Sequence, residues 1–149
     1  MKRFKLKLAA LAALPREERR LLRQIWFSFL LADVGLRLSP LSSVQRLLAW
    51  RFRRIPAAGA GSLGPSGLER LVDLAARHHV RPMGCLRRSL VLQALLKGHG
   101  LATDLRIGVR KEGDRLQAHA WLEQAGQPLF EPPETRDRFA PLLPTREAR

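Results

Sequence analysis

The sequence predicts an α+β protein: a helical N-terminal region, then a core in which one central helix packs on a small antiparallel sheet. Apolar residues between Glu17 and Leu36 recur at helical spacing, and the stretch from Cys85 to Lys97 is apolar almost all round. Three short runs between Ala102 and Glu131 read as strands, two of them joined by a turn containing glycine. With 149 residues, 46% of them hydrophobic, one domain with one sizeable core accounts for the chain.

The elements follow in order. "MKRFKLKLAALAALP" sets basic residues before an apolar run, Leu8 to Leu14, that Pro15 and "REERR" cut off. The run is shorter than the ~20 residues a bilayer span needs, so an amphipathic first helix is expected. From Glu17 to Leu36 the positions Leu22, Ile25, Trp26, Phe29 and Leu30 form a one-sided helical stripe, and Asp33 interrupts the apolar run that precedes it. Val44, Leu47 and Leu48 mark a second helix over Leu41 to Phe52. These segments make residues 1–55 a helical N-terminal subdomain, followed by a linker over 56–67, "PAAGAGSLGPSG". Its Gly59-Ala60-Gly61-Ser62-Leu63-Gly64 matches GxGxxG formally, but no strand precedes it and Pro65 follows, so it reads as linker and not as a dinucleotide site.

The core is expected over 68–140. Ser66 or Gly67 can cap a helix from Leu68 to about His78. "HHVRPMG" is an irregular connection, the Cys85 helix follows, and Gly98-His99-Gly100 stops it. Strands are expected at Ala102–Arg110, Arg115–Glu123 and Gln127–Glu131, and a loose tail at 141–149.

Composition narrows the function classes. A single cysteine excludes an internal disulfide framework and multi-thiolate zinc sites, and suits a reducing, cytoplasmic setting. The net charge of +14 attracts nucleic acid, anionic lipid or acidic polypeptide. The excess is mostly arginine spread along the chain, with no tyrosine and no RNA-binding aromatic signature. No nucleic-acid partner is therefore expected, whereas peripheral contact with a membrane stays open. No nucleotide or metal motif is evident, and neither cofactor nor metal is expected.

Cys85 heads the central helix, where unpaired backbone N–H groups and the helix dipole favour negative charge and hence the thiolate. The same N–H groups can hold an oxyanion. A free cysteine in a core is also commonly just a small apolar residue, so position alone leaves both readings open. Of the four histidines, His99 lies at the far end of the same helix, roughly 21 Å away at 1.5 Å per residue. His78 and His79 end the preceding helix and remain a minor alternative. His119, in "RLQAHAWLE", is the candidate base. If Gln124-Ala125-Gly126 closes a three-residue hairpin loop between Glu123 and Gln127, Glu131 stands directly across from His119 and can orient its ring. Glu123 lies on the same face but roughly 13 Å along the strand.

At "CLRRSLVLQALLKGHGLATDLRIGVRK" followed by "AHAWLE", the sequence resembles the lasso-peptide biosynthesis B proteins, specifically the stand-alone leader-peptidase half. These are cysteine proteases of the transglutaminase-like branch of the papain fold. The resemblance covers residues 80 to 131, carried by C-L-x-R-S-L, G-x-x-x-x-L-R-I-G-V and H-A-W, with a leucine- and arginine-rich N-terminal region also typical. It implies Cys85 as nucleophile, His119 as base and Glu131 in the place of an acid that is commonly aspartate. It further implies a precursor leader peptide as substrate, a small leader-binding partner protein, and a separate ATP-using lasso cyclase. Another transglutaminase-fold amidase or acyltransferase would keep the same three residues, and a non-enzymatic basic scaffold would need none of them.

Overall fold

A computed structural model describes residues 14–53 and 63–142. The expected first helix and most of the glycine-rich linker lie outside the described residues. Four long helices come first: α1 (Arg16–Leu38), α2 (Leu41–Arg53), α3 (Pro65–Arg77) and α4 (Cys85–Gly98). They lead into strands β1 (Asp104–Glu112), β2 (Arg115–Gln124) and β3 (Gln127–Leu129), a short helix α5 (Thr135–Arg138) and strand β4 (Ala140–Pro141). The sheet is antiparallel in the order β3-β2-β1-β4, and the architecture is α+β.

α4 is the centre. It packs on α1, α2, α3, β1 and β2, and Leu90, Val91, Leu95 and Leu96 are sealed from solvent on different sides of it. A helix apolar all round belongs inside, and burying each such side chain is worth roughly 1.5–3 kcal/mol. Around it stand Ile25 and Phe29 from α1, Leu48 and Phe52 from α2, Leu71 and Ala75 from α3, and Leu122 from β2, in one continuous cluster. The helical first half and the sheet thus share a core.

Several local expectations are corrected. α1 buries Leu21, Ile25, Ser28, Phe29, Ala32 and Asp33, so Ile25 and Phe29 of the expected stripe face the core, but the inward face is rotated away from Leu22, Trp26 and Leu30, and Leu30 is exposed. The helix has apolar residues on two sides, and periodicity alone does not choose between them. α3 begins at Pro65 with Gly64 as its N-cap, three residues before Leu68, because a proline at the first helical position has its φ preset and needs no N–H acceptor. β1 starts at Asp104 and runs on to Glu112. Pro141 pairs with Gly108 and adds a fourth strand to the sheet.

The β2–β3 hairpin departs most. Gln124 pairs with Gln127, Glu123 with Pro128 and Leu122 with Leu129, so the loop is the two-residue Ala125-Gly126 and not the three-residue loop closing on Glu123 and Gln127. Both loop residues have positive φ, 50° and 77°, as a type I′ turn requires. Continued unbroken, this register would set Glu131 opposite Ala120 and turn it to the wrong face.

Candidate active site

Cys85 occupies the first position of α4. Gly84 before it is extended (φ −68°, ψ 167°) and brings no capping side chain, and the first helical bond runs from Arg88 N–H to the Gly84 carbonyl. The first-turn amides of residues 85 to 87 are thus open to an anion at the helix end. Cys85 is half-buried, not sealed in the core.

Cys85, His119 and Glu131 line one cleft of about 130 Å³, walled also by Val72, Asp73, Arg88, Ser89, Trp121 and Phe130. His119 Nε2 lies 2.9 Å and 2.8 Å from the two Glu131 carboxylate oxygens, so its N–H donates to the acid in a forked geometry. The two side chains meet, but not across the ladder that a three-residue loop would build. β3 ends at Leu129, and Phe130 takes a left-handed backbone with φ of 63°. That one residue undoes the register shift and returns the Glu131 side chain to the imidazole. Buried Thr135, at the start of α5, then directs its hydroxyl to Glu131 Oε2 at 3.4 Å, a long contact.

The imidazole has a floor. Trp121 stacks with it (5.9 Å between centroids, 15° between planes), and Phe139 lies 5.1 Å away. Gly108, paired with His119 across the β1–β2 ladder, makes this possible, because a Cβ there would sit 2.8 Å from Phe139 Cβ and 3.0 Å from the Ala140 carbonyl oxygen. Trp121 Nε1 donates to Glu123 (3.1 Å), and Glu123 is paired with Arg106 (2.8 Å) and almost wholly buried. Glu123 therefore anchors Trp121 and does not serve His119.

Two further ties fix the cysteine helix. The Ser89 hydroxyl donates to the Ala120 carbonyl at 3.0 Å in a buried bond, joining α4 to the histidine strand. Asp33, buried on α1, receives Arg87 (2.6 Å), Arg81 (3.1 Å) and Arg37 (3.4 Å), so the first turn of α4 and the loop before it are held to α1. Burial pushes the Asp33 carboxyl up, but the charges of Arg87, Arg37 and Arg81 outweigh it and hold the group below the usual carboxylate range.

The other histidines do not line the cleft. His99 caps the C-terminus of α4, and His78 caps that of α3, each ring Nδ1 lying 2.8 Å from a carbonyl one turn back. The His79 ring packs on Trp26 and Phe29. Among the described residues, no three His, Cys, Asp or Glu side chains gather as metal ligands, and no helix is long and apolar enough to cross a membrane.

Thr135, Phe139 and the cleft-lining Glu69 escaped the sequence reading, as did the contacts that Ser89 and Asp33 make. Gly108 carried a usable signal, since a glycine inside a strand marks close approach of another chain segment.

A thiol at an open helix N-terminus, with an imidazole and its carboxylate beside it on a packed sheet, defines the papain-like class of cysteine enzyme folds. The family model described as "transglutaminase-like superfamily" matches residues 28–144, and the chain belongs to that superfamily. Its members generally carry a Cys-His-Asp triad and act as cysteine peptidases or acyltransferases. Here the carboxylate that meets the histidine is a glutamate, Glu131. Neither the curated proteins nor the solved structures contain a match to this chain.

Proposed function

We propose that this protein is a cysteine peptidase that removes the leader peptide from a lasso-peptide precursor, working with a separate leader-binding partner before a cyclase closes the macrolactam. The observation that carries the peptidase chemistry is the pairing of His119 Nε2 with Glu131 in the cleft that also holds Cys85. The resemblance of "CLRRSL", "GLATDLRIGV" and "HAW" to the B proteins supports the substrate.

The chemistry follows from the geometry. Glu131 occupies Nε2, which leaves Nδ1 of His119 for the thiol. His119 accepts the Cys85 proton through Nδ1, and the sulfur attacks the scissile carbonyl. The oxygen of the tetrahedral intermediate takes negative charge beside the first-turn amides of α4, which donate to it. As the C–N bond breaks, the imidazolium returns its proton to the leaving amine. Water then attacks the thioester, His119 removing its proton, and releases the carboxylate product and the thiol. Glu131 holds the ring orientation and stabilises the imidazolium throughout.

The test is incubation of the purified chain with the precursor peptide, with and without the leader-binding protein, followed by mass spectrometry. One cut at the leader–core junction is expected, absent in Cys85→Ala and His119→Ala. A folded Cys85→Ala protein that still cuts there would refute the proposal.

A further inference from the structure

The outward side of α1 carries apolar residues that the core leaves unused. Phe27, Leu30, Leu31, Val34 and Leu38 are all exposed, Phe27 by 53% and Leu38 by 79%. At 100° per residue they fall on one side of the helix, away from Ile25 and Ala32, and the stripe runs for about 17 Å. Followed back toward the N-terminus, the same line continues through Arg16, Arg20 and Arg23, also exposed. An ordinary surface helix turns its second face to water with polar residues. This one presents three arginines and then five large apolar side chains.

The occupant must be both apolar and anionic. A second copy would bring the same arginines, and another chain of net charge +14, against them. The chain's own residues 1–13 carry Lys2, Arg3, Lys5 and Lys7 and offer no negative charge. The face is the convex outer side of a helix, and among the described residues none of three clefts is lined by an α1 residue. A peptide ligand needs a groove, whereas a bilayer surface accepts a ridge.

We propose that the outer face of α1 docks on an anionic phospholipid surface. Phe27 to Leu38 seat at the boundary between headgroups and acyl chains, and Arg16, Arg20 and Arg23 meet the lipid phosphates. The helix lies on the membrane and does not cross it. This docking is independent of the reaction assigned to the cleft.

Flotation of the full chain with vesicles tests it. The chain is expected to float with equimolar phosphatidylglycerol and phosphatidylcholine, and to stay at the bottom with phosphatidylcholine alone. The double variant Leu31→Glu/Val34→Glu should lower partitioning by about tenfold or more, and Arg20→Gln/Arg23→Gln should weaken both the binding and its salt dependence. Circular dichroism and the unfolding midpoint should be unchanged in both, since all four side chains are exposed. Flotation that survives Leu31→Glu/Val34→Glu would reduce the effect to bulk charge and overturn the proposal. So would absence of flotation, whether the stripe is then found in a dimer that the same variant makes monomeric, or against an acidic protein.

Discussion

The backbone at Phe130 provides the sharpest test of how the acid reaches the histidine. Its φ of 63° falls between the end of β3 and Glu131, where the ladder continued unbroken would point Glu131 away from His119. Proline at this position fixes φ near −65°, a rotation of roughly 130° about one bond. No 2.8 Å hydrogen bond survives that swing, although Cys85, His119 and Glu131 are all still present. Phe130→Pro should therefore behave as a loss of the orienting acid, with kcat/KM down by on the order of 10²–10⁴. At 1.36 kcal/mol per tenfold this is about 3–5 kcal/mol of transition-state stabilisation. Phe130→Gly keeps the left-handed backbone available and relieves an L-residue penalty of about 1–2 kcal/mol, partly offset by about 1 kcal/mol of unfolded-state entropy. It should stay within about tenfold of wild-type activity. Precursor cleavage reads the reaction, and the rate of Cys85 alkylation by iodoacetamide reads the site without any substrate. If Phe130→Pro cleaves and alkylates like the wild type, the kink does not place the acid. If both variants lose activity equally, the Phe130 ring matters and the backbone angle does not.

Other perturbations probe the supports. Gly108→Ala pushes a methyl into Phe139, Trp121 and the Ala140 carbonyl; overpacking of this kind costs about 1–3 kcal/mol, and thermal unfolding should show a lower midpoint together with a fall in kcat as the floor under His119 moves. Ser89→Ala takes the serine hydroxyl from the buried Ala120 carbonyl and should cost about 1–2 kcal/mol in denaturant unfolding, with kcat falling and KM little changed because α4 and β2 carry the proposed nucleophile and base. Asp33 titrates below its ordinary value of 3.8 in the folded protein, so its contribution is present in full above that pH and is lost as pH falls through the depressed folded value. Asp33→Asn should accordingly lower the unfolding midpoint at pH 7, with the gap to wild type narrowing below pH 3.8; a gap that is constant with pH would dismiss the arginine cluster as its source.

Much of the site was legible because it depends on local rules. A stretch that is apolar on most of its sides, bounded by Gly84 and by Gly98-His99-Gly100, reads as a central helix, and it puts Cys85 at an N-terminus whatever the rest of the chain does. Alternation placed His119 on a strand, and helix length removed His99 from reach. The hairpin was less legible: Ala125-Gly126 and Gln124-Ala125-Gly126 are both credible loops, and the choice reverses every side chain that follows. The pairing of His119 with Glu131 was anticipated, but by a ladder that the protein does not form.

By itself, then, the sequence determined the four long helices, the first three strands, the cysteine at the helix end and the histidine on its strand, because each follows from periodicity and from turn and cap chemistry within a few residues. Tertiary structure alone decided which of α1's two apolar sides is buried, that Asp33 gathers three arginines around the first turn of α4, and that Phe139 closes over Gly108 to floor the imidazole. It also decided that Glu131 returns to His119 through a left-handed Phe130. Those outcomes depend on contacts between segments far apart in the chain, where a rotation of one residue about a helix, or one step of register along a strand, changes which side chains meet.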